Sequence, residues 1–395
     1  MDGFLPAAPS LAEKGARPVK MPASERISVI IPFHNASAYL EPCLLALGSS
    51  EHGNCELILV NDGSTDSSAE IARRHAQQFL TFPSPHGPAY ARNRGAEIAS
   101  GSILFFIDAD VLCHPDTLSK LAESFAADPD LAAVIGSYDD TPAAANFLSR
   151  YKNLTHHYVH QNASRDASTF WTGCGAIRRD VFLKLGGFDE SYRKPSIEDI
   201  ELGCRMRAQR YRIALRKDLV VTHAKRWTLR SLLRSDILDR ALPWTILQLR
   251  YRRIVNDLNL SWTQRSAALL TFLAVLFAAA GFRYPVLLAG AGAAFLVVAT
   301  LNRSQYRFYY KHGGAWFCLC SVAMHWFYYL YSMAAFGAGC VQFLGGRKYA
   351  RAGSGWTGET GTGHSHGIRS RLADLSGFAD DVKGISGENH EQGQD

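Results

Sequence analysis

The sequence predicts an α/β domain, a parallel sheet with helices on both faces, followed by an α-helical membrane region. Three observations carry this. Between residues 26 and 225, short β-branched or apolar runs alternate with helical patterns. Three of the acids that end those runs, Asp62, Asp108 and Asp110, fall at strand carboxyl ends, where such sheets bind ligands. From residue 267 onward, long apolar stretches replace the alternation.

Residues 1–25 read as a disordered leader with no apolar core of signal-peptide length, so the N-terminal part is expected to stay on the side where it is made. Ile27 to Ile31 is a buried-strand run ended by Pro32, and Phe33-His34-Asn35 leads into a helical pattern through Leu47. A second strand, Glu56 to Val60, runs into Asn61-Asp62-Gly63-Ser64 and a polar helix through Arg74. Pro83 to Gly87 is a loop, and Ala89 to Ile98 a helix carrying Arg92, Asn93 and Arg94. Ile103 to Ile107 is an apolar strand ending in Asp108-Ala109-Asp110. Leu131 to Gly136 reads as a strand, and Tyr211 to Leu215 and Leu219 to Thr222 as two short ones ending at His223.

Asp108 and Asp110 would face one ligand if their strand continued, and oxygen ligands there suit Mg²⁺ or Mn²⁺ holding a diphosphate; the alternative is a turn capping the next helix. Asn61-Asp62-Gly63-Ser64 is either an Asx-turn with a helix cap or a base- or ribose-binding carboxylate. Arg92 and Arg94 read singly as solvated helix charges. Two glycines around Cys174, Gly173 and Gly175, suggest a backbone that something approaches closely. Glu198, Asp199 and Glu201 open a helix, which is ordinary dipole chemistry, yet burial of Asp199 would raise its pKa toward that of a useful base. His223 could be a metal's imidazole ligand, and His156 with His160 has ligand-like spacing without the glutamate of His-Glu-x-x-His. No glycine-rich phosphate loop follows the first strand, so a nucleotide here would be held by acids and a metal.

The bulk numbers narrow the classes. A net charge of +6 suits an anionic membrane surface or an anionic substrate, and without a basic-aromatic platform it does not point to nucleic acid. Eight cysteines without a Cys-x-x-Cys pair argue for reduced thiols rather than a disulfide framework or a zinc site.

The ordered motifs Ile-Pro-Phe-His-Asn (31–35), Val-Asn-Asp-Gly-Ser-Thr-Asp (60–66), Ala-Arg-Asn-Arg-Gly (91–95), Asp-Ala-Asp (108–110), Gly-Gly-Phe-Asp-Glu (186–190) and Glu-Asp-Ile-Glu-Leu (198–202) resemble a family-2 glycosyltransferase of the Rossmann-like GT-A fold over residues 26–225. The resemblance implies inverting transfer from a nucleotide-diphosphate sugar, assisted by Mn²⁺ or Mg²⁺. By position it implies that Asp62 binds the nucleobase, that Asp108 with Asp110 holds ribose, metal and diphosphate, and that Arg92, Pro32 and Asn35 line the nucleotide-sugar site. It makes Asp199 the base that deprotonates the acceptor and His223 a metal contact, and it places Gly173, Glu198 and Trp171 on the acceptor or sugar side. Asn61 stands where the family has a first aspartate. The Gln-x-x-Arg-Trp motif of processive synthases is missing, since His223 precedes Ala224-Lys225-Arg226-Trp227, so the resemblance implies transfer of one sugar.

Residues 226–260 read as basic amphipathic helices, either in the membrane interface or packed on the catalytic domain. The region 261–345 carries three apolar runs, about 267–282, 285–301 and 316–344, expected to be transmembrane helices. Basic segments 247–265 and 302–312 would lie inside and the 283–284 turn outside, which leaves Arg347, Lys348 and Arg351 on the opposite side from that rule. Residues 346–395 read as a disordered tail. Together these predict a multi-pass inner-membrane protein with a cytoplasmic catalytic domain and a lipid-linked or saccharide acceptor. The rivals are a catalytically silent sugar- or lipid-binding protein, disfavoured by the intact acids, and a transporter, disfavoured by the nearly charge-free spans.

Overall fold

The computed structural model describes residues 25–251, 258 and 261–345. The expected leader, the tail, Arg347, Lys348, Arg351 and most of 252–260 lie outside the described residues.

Eight strands form one sheet: β1 (Ile27–Phe33), β2 (Cys55–Asp62), β3 (Gln78–Phe82), β4 (Ile103–Phe106), β5 (Val111–Cys113), β6 (Leu131–Tyr138), β7 (Gly175–Arg178) and β8 (Arg212–His223). The sheet order is β3-β2-β1-β4-β7-β6-β8-β5. The first four of these pair in parallel, in the order of one half of a Rossmann sheet. The sheet is mixed rather than parallel, because β7 runs antiparallel to both β4 and β6 and β5 antiparallel to β8. The α/β, Rossmann-like expectation therefore holds, with that correction.

Helices cover both faces: α1 (Ser37–Gly48), α2 (Ser68–His75), α3 (Pro88–Ile98), α4 (Thr117–Ala127), α5 (Phe147–Asn162), α6 (Arg179–Lys184) and α7 (Glu198–Ala208). Every residue of β1 is buried, as a doubly covered strand requires. Its alternate side chains divide the core: Ile27, Val29, Ile31 and Phe33 join one cluster with α1 and α4, and Ile30 joins a second with α3 and α7.

Pro32 lies inside β1 rather than after it, paired with Val60. Alternate residues turn their backbone groups to the same side. The Ile30 carbonyl accepts from Ile107 N–H, and the last pair with β4 is Ile30 with Phe106. The missing Pro32 N–H therefore faces past the end of β4, where no ladder bond is lost. The expected strand pair at 211–222 is one strand, β8, with an irregularity in its register to β6 between Leu215 and Val220.

The helical half contains α8 (Leu229–Arg234), a π-helical turn (Ser235–Ala241), α9 (Leu242–Tyr251), α10 (Trp262–Gly281), α11 (Val286–Leu301) and α12 (Arg303–Leu344), the last interrupted at Gly314 with φ 74°. All three apolar runs are helical. Only α10, by itself, is long and apolar enough to cross a membrane. At 16 residues α11 is short of a span, and α11 with α12 would make a second only as one span bent by 66°. The three expected spans are thus reduced to one or two among the described residues.

Residues 229–241 pack against α5 of the sheet domain and against α12. Tyr151 and Leu154 of α5, Trp227, Leu232 and Tyr309, Phe317 and Tyr331 of α12 make one buried cluster. The Lys152 Nζ donates to Asp236 Oδ1 at 2.5 Å and the Tyr331 hydroxyl to Asp236 Oδ2 at 2.7 Å, tying α5, the π turn and α12 together.

Helix α7 is held by a close approach. A Cβ on Gly203 would lie 2.3 Å from the Phe170 backbone nitrogen, which cannot swing away as a flexible side chain could. Gly203→Ala is expected to lower stability by about 1–3 kcal/mol, read as a shift of the denaturation midpoint, while Gly48→Ala, with nothing within 4 Å of its Cβ, leaves it in place.

Candidate active site

Arg92 ties the turn after β4 to the start of α7, and Asp108, Glu198 and Asp199 gather around it. β4 stops at Phe106, so Asp108 and Asp110 lie on a turn in which Val111 N–H donates to the Asp108 carbonyl, not on a continuing strand. Their side chains consequently part. Asp108 Oδ1 accepts from Arg92 at 2.7 Å, whereas Asp110 Oδ2 lies 3.8 Å from His223 Nε2 and 4.0 Å from Lys225 Nζ. The pairing of β5 with β8, which sets Val111 opposite His223, is what brings that histidine alongside Asp110. Tyr138 stacks on the His223 ring at 4.3 Å and fixes its plane.

Arg92 is not a solvated helix charge. Its side chain is 5% exposed and bridges two carboxylates, Asp108 and Glu198, the latter at 2.8 Å. Glu198, expected on the acceptor side, spends one oxygen on Arg92 and the other on Ser196 N–H at 2.9 Å. It acts as the buried counter-ion of Arg92 and has moved from the proposed binding surface into the scaffold. Burial, which Arg92 only partly offsets, raises the Asp108 pKa, and the neighbouring Asp110 raises it further. For Asp110 burial also works upward, but the neighbouring His223 and Lys225 outweigh it and the net shift is down.

Asp199 opens α7 beside Glu198. Burial and then the Glu198 charge push its pKa up to about 6, against the Thr172 N–H and the Arg92 and Arg240 charges. Its Oδ2 accepts from the Thr172 N–H and hydroxyl at 3.1 and 3.2 Å. It also lines a cavity of about 230 Å³ together with Trp171, His156 and residues of the helical half.

Other expected site residues are engaged locally. Both Asp62 oxygens accept backbone N–H groups, from His86 at 2.8 Å and Gly87 at 2.7 Å, so the carboxylate fastens the loop before α3. Asn61 Oδ1 accepts from the Ser64 N–H, three residues on, rather than two as in the expected Asx-turn. Asn35, at φ 50°, holds the 65–66 backbone through its Oδ1, and Pro32 is buried within β1. Gly173 is approached closely, as expected, but by the Trp171 ring, whose Cζ2 would stand 2.4 Å from an added Cβ. His160 binds the Gly136 carbonyl and His156 stacks on it at 4.0 Å. Sequence reasoning missed Asn93, which exchanges two hydrogen bonds with the Phe188 backbone and a third with Glu190, and so explains why Gly186-Gly187-Phe188 sits where it does.

Among the described residues no group of three or more His, Cys, Asp or Glu side chains is placed to hold a metal ion. Two ligand atoms of one cation, each at ~2.1 Å, lie at most ~4.2 Å apart, and the Asp110–His223 separation falls inside that limit. A carboxylate and an imidazole at that spacing could share one divalent cation whose remaining oxygens come from a bound phosphate. Asp108 gives its Oδ1 to Arg92.

A mixed α/β domain with acids gathered at the carboxyl ends of its strands is the class the fold and site define. Residues 28–186 match the family model described as Glycosyl transferase family 2, and this part of the chain is a domain of that family. An uncharacterized glycosyltransferase of Escherichia coli, YibD, is 36% identical over 115 residues, 28% of this chain and 33% of that protein. One of Haemophilus influenzae is 41% identical over 100 residues, covering 24% and 40%. Validoxylamine A glucosyltransferase of Streptomyces hygroscopicus is 28% identical over 218 residues, covering 46% and 51%. The chain thus spans about a third to a half of the length of these relatives. The solved structure of a Pyrobaculum calidifontis mannosyltransferase with GDP-Man and Mn²⁺ aligns at TM-score 0.45 and 19% identity over 81% of this chain and 87% of that one.

Arg92→Met leaves Glu198 buried without its cation and Asp108, about a third exposed, without its partner. It is expected to cost about 3–5 kcal/mol in denaturant unfolding, whereas Arg94→Met, at a side chain about a third exposed, costs less than about 1 kcal/mol.

Proposed function

We propose that the chain is an inverting glycosyltransferase that moves one sugar from a nucleotide-diphosphate sugar to a membrane-associated acceptor, lipid- or polyprenyl-linked. The observation that carries this is Asp199: a half-buried carboxyl with its pKa raised to about 6, open to a cavity, on the same helix turn as the Glu198–Arg92–Asp108 chain. A base must be unprotonated near neutral pH yet basic enough to take a hydroxyl proton, and a pKa near 6 meets both demands.

In the proposed step the acceptor hydroxyl oxygen forms a bond to the anomeric carbon as the carbon–oxygen bond to the diphosphate breaks. The proton passes to Asp199 Oδ, and the nucleoside diphosphate departs with the electron pair. Attack from the face opposite the leaving group inverts the centre, and a single base suffices. Asp110 and His223 are the residues that would hold Mn²⁺ or Mg²⁺, which when bound neutralises charge at the leaving oxygen. Asp108 is oriented by Arg92 toward the donor side, with Asn35, Asp62 and the loops they fasten forming the rest of the nucleotide wall.

A membrane location is supported by the surface of the helical half. Phe282, Val286, Leu296, Trp316, Val341 and Leu344 are each more than 70% exposed, and an exposed apolar surface of that kind needs lipid or a partner to cover it. In this reading the helices anchor the enzyme at the inner membrane with the catalytic domain cytoplasmic.

The test is sugar transfer measured against pH with Mn²⁺ present. The rate is expected to fall about tenfold per pH unit below an apparent pKa near 6, because Asp199 must be charged to act. Asp199→Asn should lower it by roughly 10²–10⁴-fold and abolish that limb, and Asp110→Ala should weaken the response to added metal. A pH limb unchanged in Asp199→Asn would refute the assignment of the base.

A further inference from the structure

The cavity beside Asp199 is completed by residues far outside the family-matched segment. One wall is a stripe at every fourth position, Asp236, Arg240, Trp244 and Gln248, running through the π-helical turn into α9. At 3.6 residues per turn such a stripe drifts around an α-helix in one direction, whereas a π turn holds more than four residues and drifts in the other. Joined end to end, the two keep all four side chains on the cavity. Facing them, α12 contributes Tyr328, Ser332 and Phe336, again at every fourth position. Phe336 is 49% exposed, so the far end of the cavity meets the apolar surface of the helices.

The lining also asks for a hydroxylated ligand. Trp244 Nε1 and His156 Nδ1, on two residues of the wall, are buried without a hydrogen-bond partner among the described residues. Polar atoms left so are costly unless a ligand or water meets them. Trp171 and Trp244 add aromatic surface with a polar edge. The volume of about 230 Å³ lies below the ~300–1,000 Å³ of sites for larger ligands, which suits one sugar ring and not an oligosaccharide.

We infer that this cavity is the acceptor site and that the acceptor is a glycoside with an apolar aglycone. Its terminal ring is read by Trp244 and His156 with one hydroxyl at Asp199, and its aglycone leaves past Phe336 toward the membrane. The inference rests on the glycosyltransferase reading for the role of Asp199, and it places acceptor choice in the helical half instead of in the family domain.

The full-length protein in lipid nanodiscs tests this by equilibrium binding of octyl β-glucoside, octyl β-galactoside and octyl α-mannoside, each against its free sugar. At least one octyl glycoside is expected to bind ten-fold or more tighter than the free sugar. Trp244→Ala and Phe336→Ser should each weaken it ten-fold or more, and Trp244→Phe, which keeps a ring and loses the N–H, several-fold; that milder variant decides the matter if Trp244→Ala fails to fold. Nucleotide-sugar binding is measured on the same samples. Absence of octyl glycoside binding, equal binding of the free sugars, or affinity insensitive to all three variants overturns the inference even where donor is bound and turned over. Variant-sensitive octyl glycoside binding by a protein that binds no UDP-, GDP- or TDP-sugar would instead leave the site standing and remove the transferase reading.

Discussion

The arrangement depends on one guanidinium. Arg92 sits inside the protein with a carboxylate on each side, and neither partner is close to it in the chain: Asp108 lies 16 residues on and Glu198 lies 106. Burying Arg92 and Glu198 together, with Asp108 more than a third exposed at the edge, is tolerable only when each is paired and hydrogen-bonded. The need to keep Arg92 satisfied therefore fixes the end of β4 against the start of α7. Asp199, one residue past Glu198, inherits its place and its raised pKa from that contact, since the Glu198 charge is the largest cause after burial. The scaffold ion pairs and the acid–base chemistry are in this sense one object.

What could be read from the chain follows from distance. The strands β1, β2, β4 and β6 were legible because doubly covered strands are continuous apolar runs, and Asp108, Asp110 and Asp199 were legible because acids beside such runs stand out. β3 was not, because Gln78 and Thr81 break the pattern on an edge strand that is only half buried. Nor was β7, where Gly175-Ala176 looks like a loop and only its neighbours β4 and β6 make it a strand. The two glycines around Cys174 were rightly seen as marking a close approach, yet a local pattern cannot say whether the visitor is a ligand or, as here, a tryptophan two residues away. The pairing of Glu198 was illegible for a similar reason: its partner is 106 positions distant. Lys152 and Asp236, 84 positions apart, carried no sequence signal at all.

The helical half is more than an anchor in this account. The Lys152–Asp236–Tyr331 contacts bind it to α5 by buried polar groups, and burial alone would lower the lysine pKa further than the Asp236 charge allows. Because Asp236 begins the stripe that walls the cavity, the same contact that docks the helices also sets the far side of the space in front of Asp199. In the proposed reading the family domain supplies donor-side chemistry, and the helices shape what can approach it.

The most direct test of the central claim is the stereochemistry of the product. The protein in native membranes is supplied with Mn²⁺ and each of a set of UDP-, GDP- and TDP-sugars, and the anomeric configuration of the transferred sugar is read by NMR. A single base facing the acceptor predicts that one donor is consumed and that its anomeric centre is inverted in the product. A retained configuration, or donors bound but never consumed in the presence of acceptor-bearing membranes, would contradict the account.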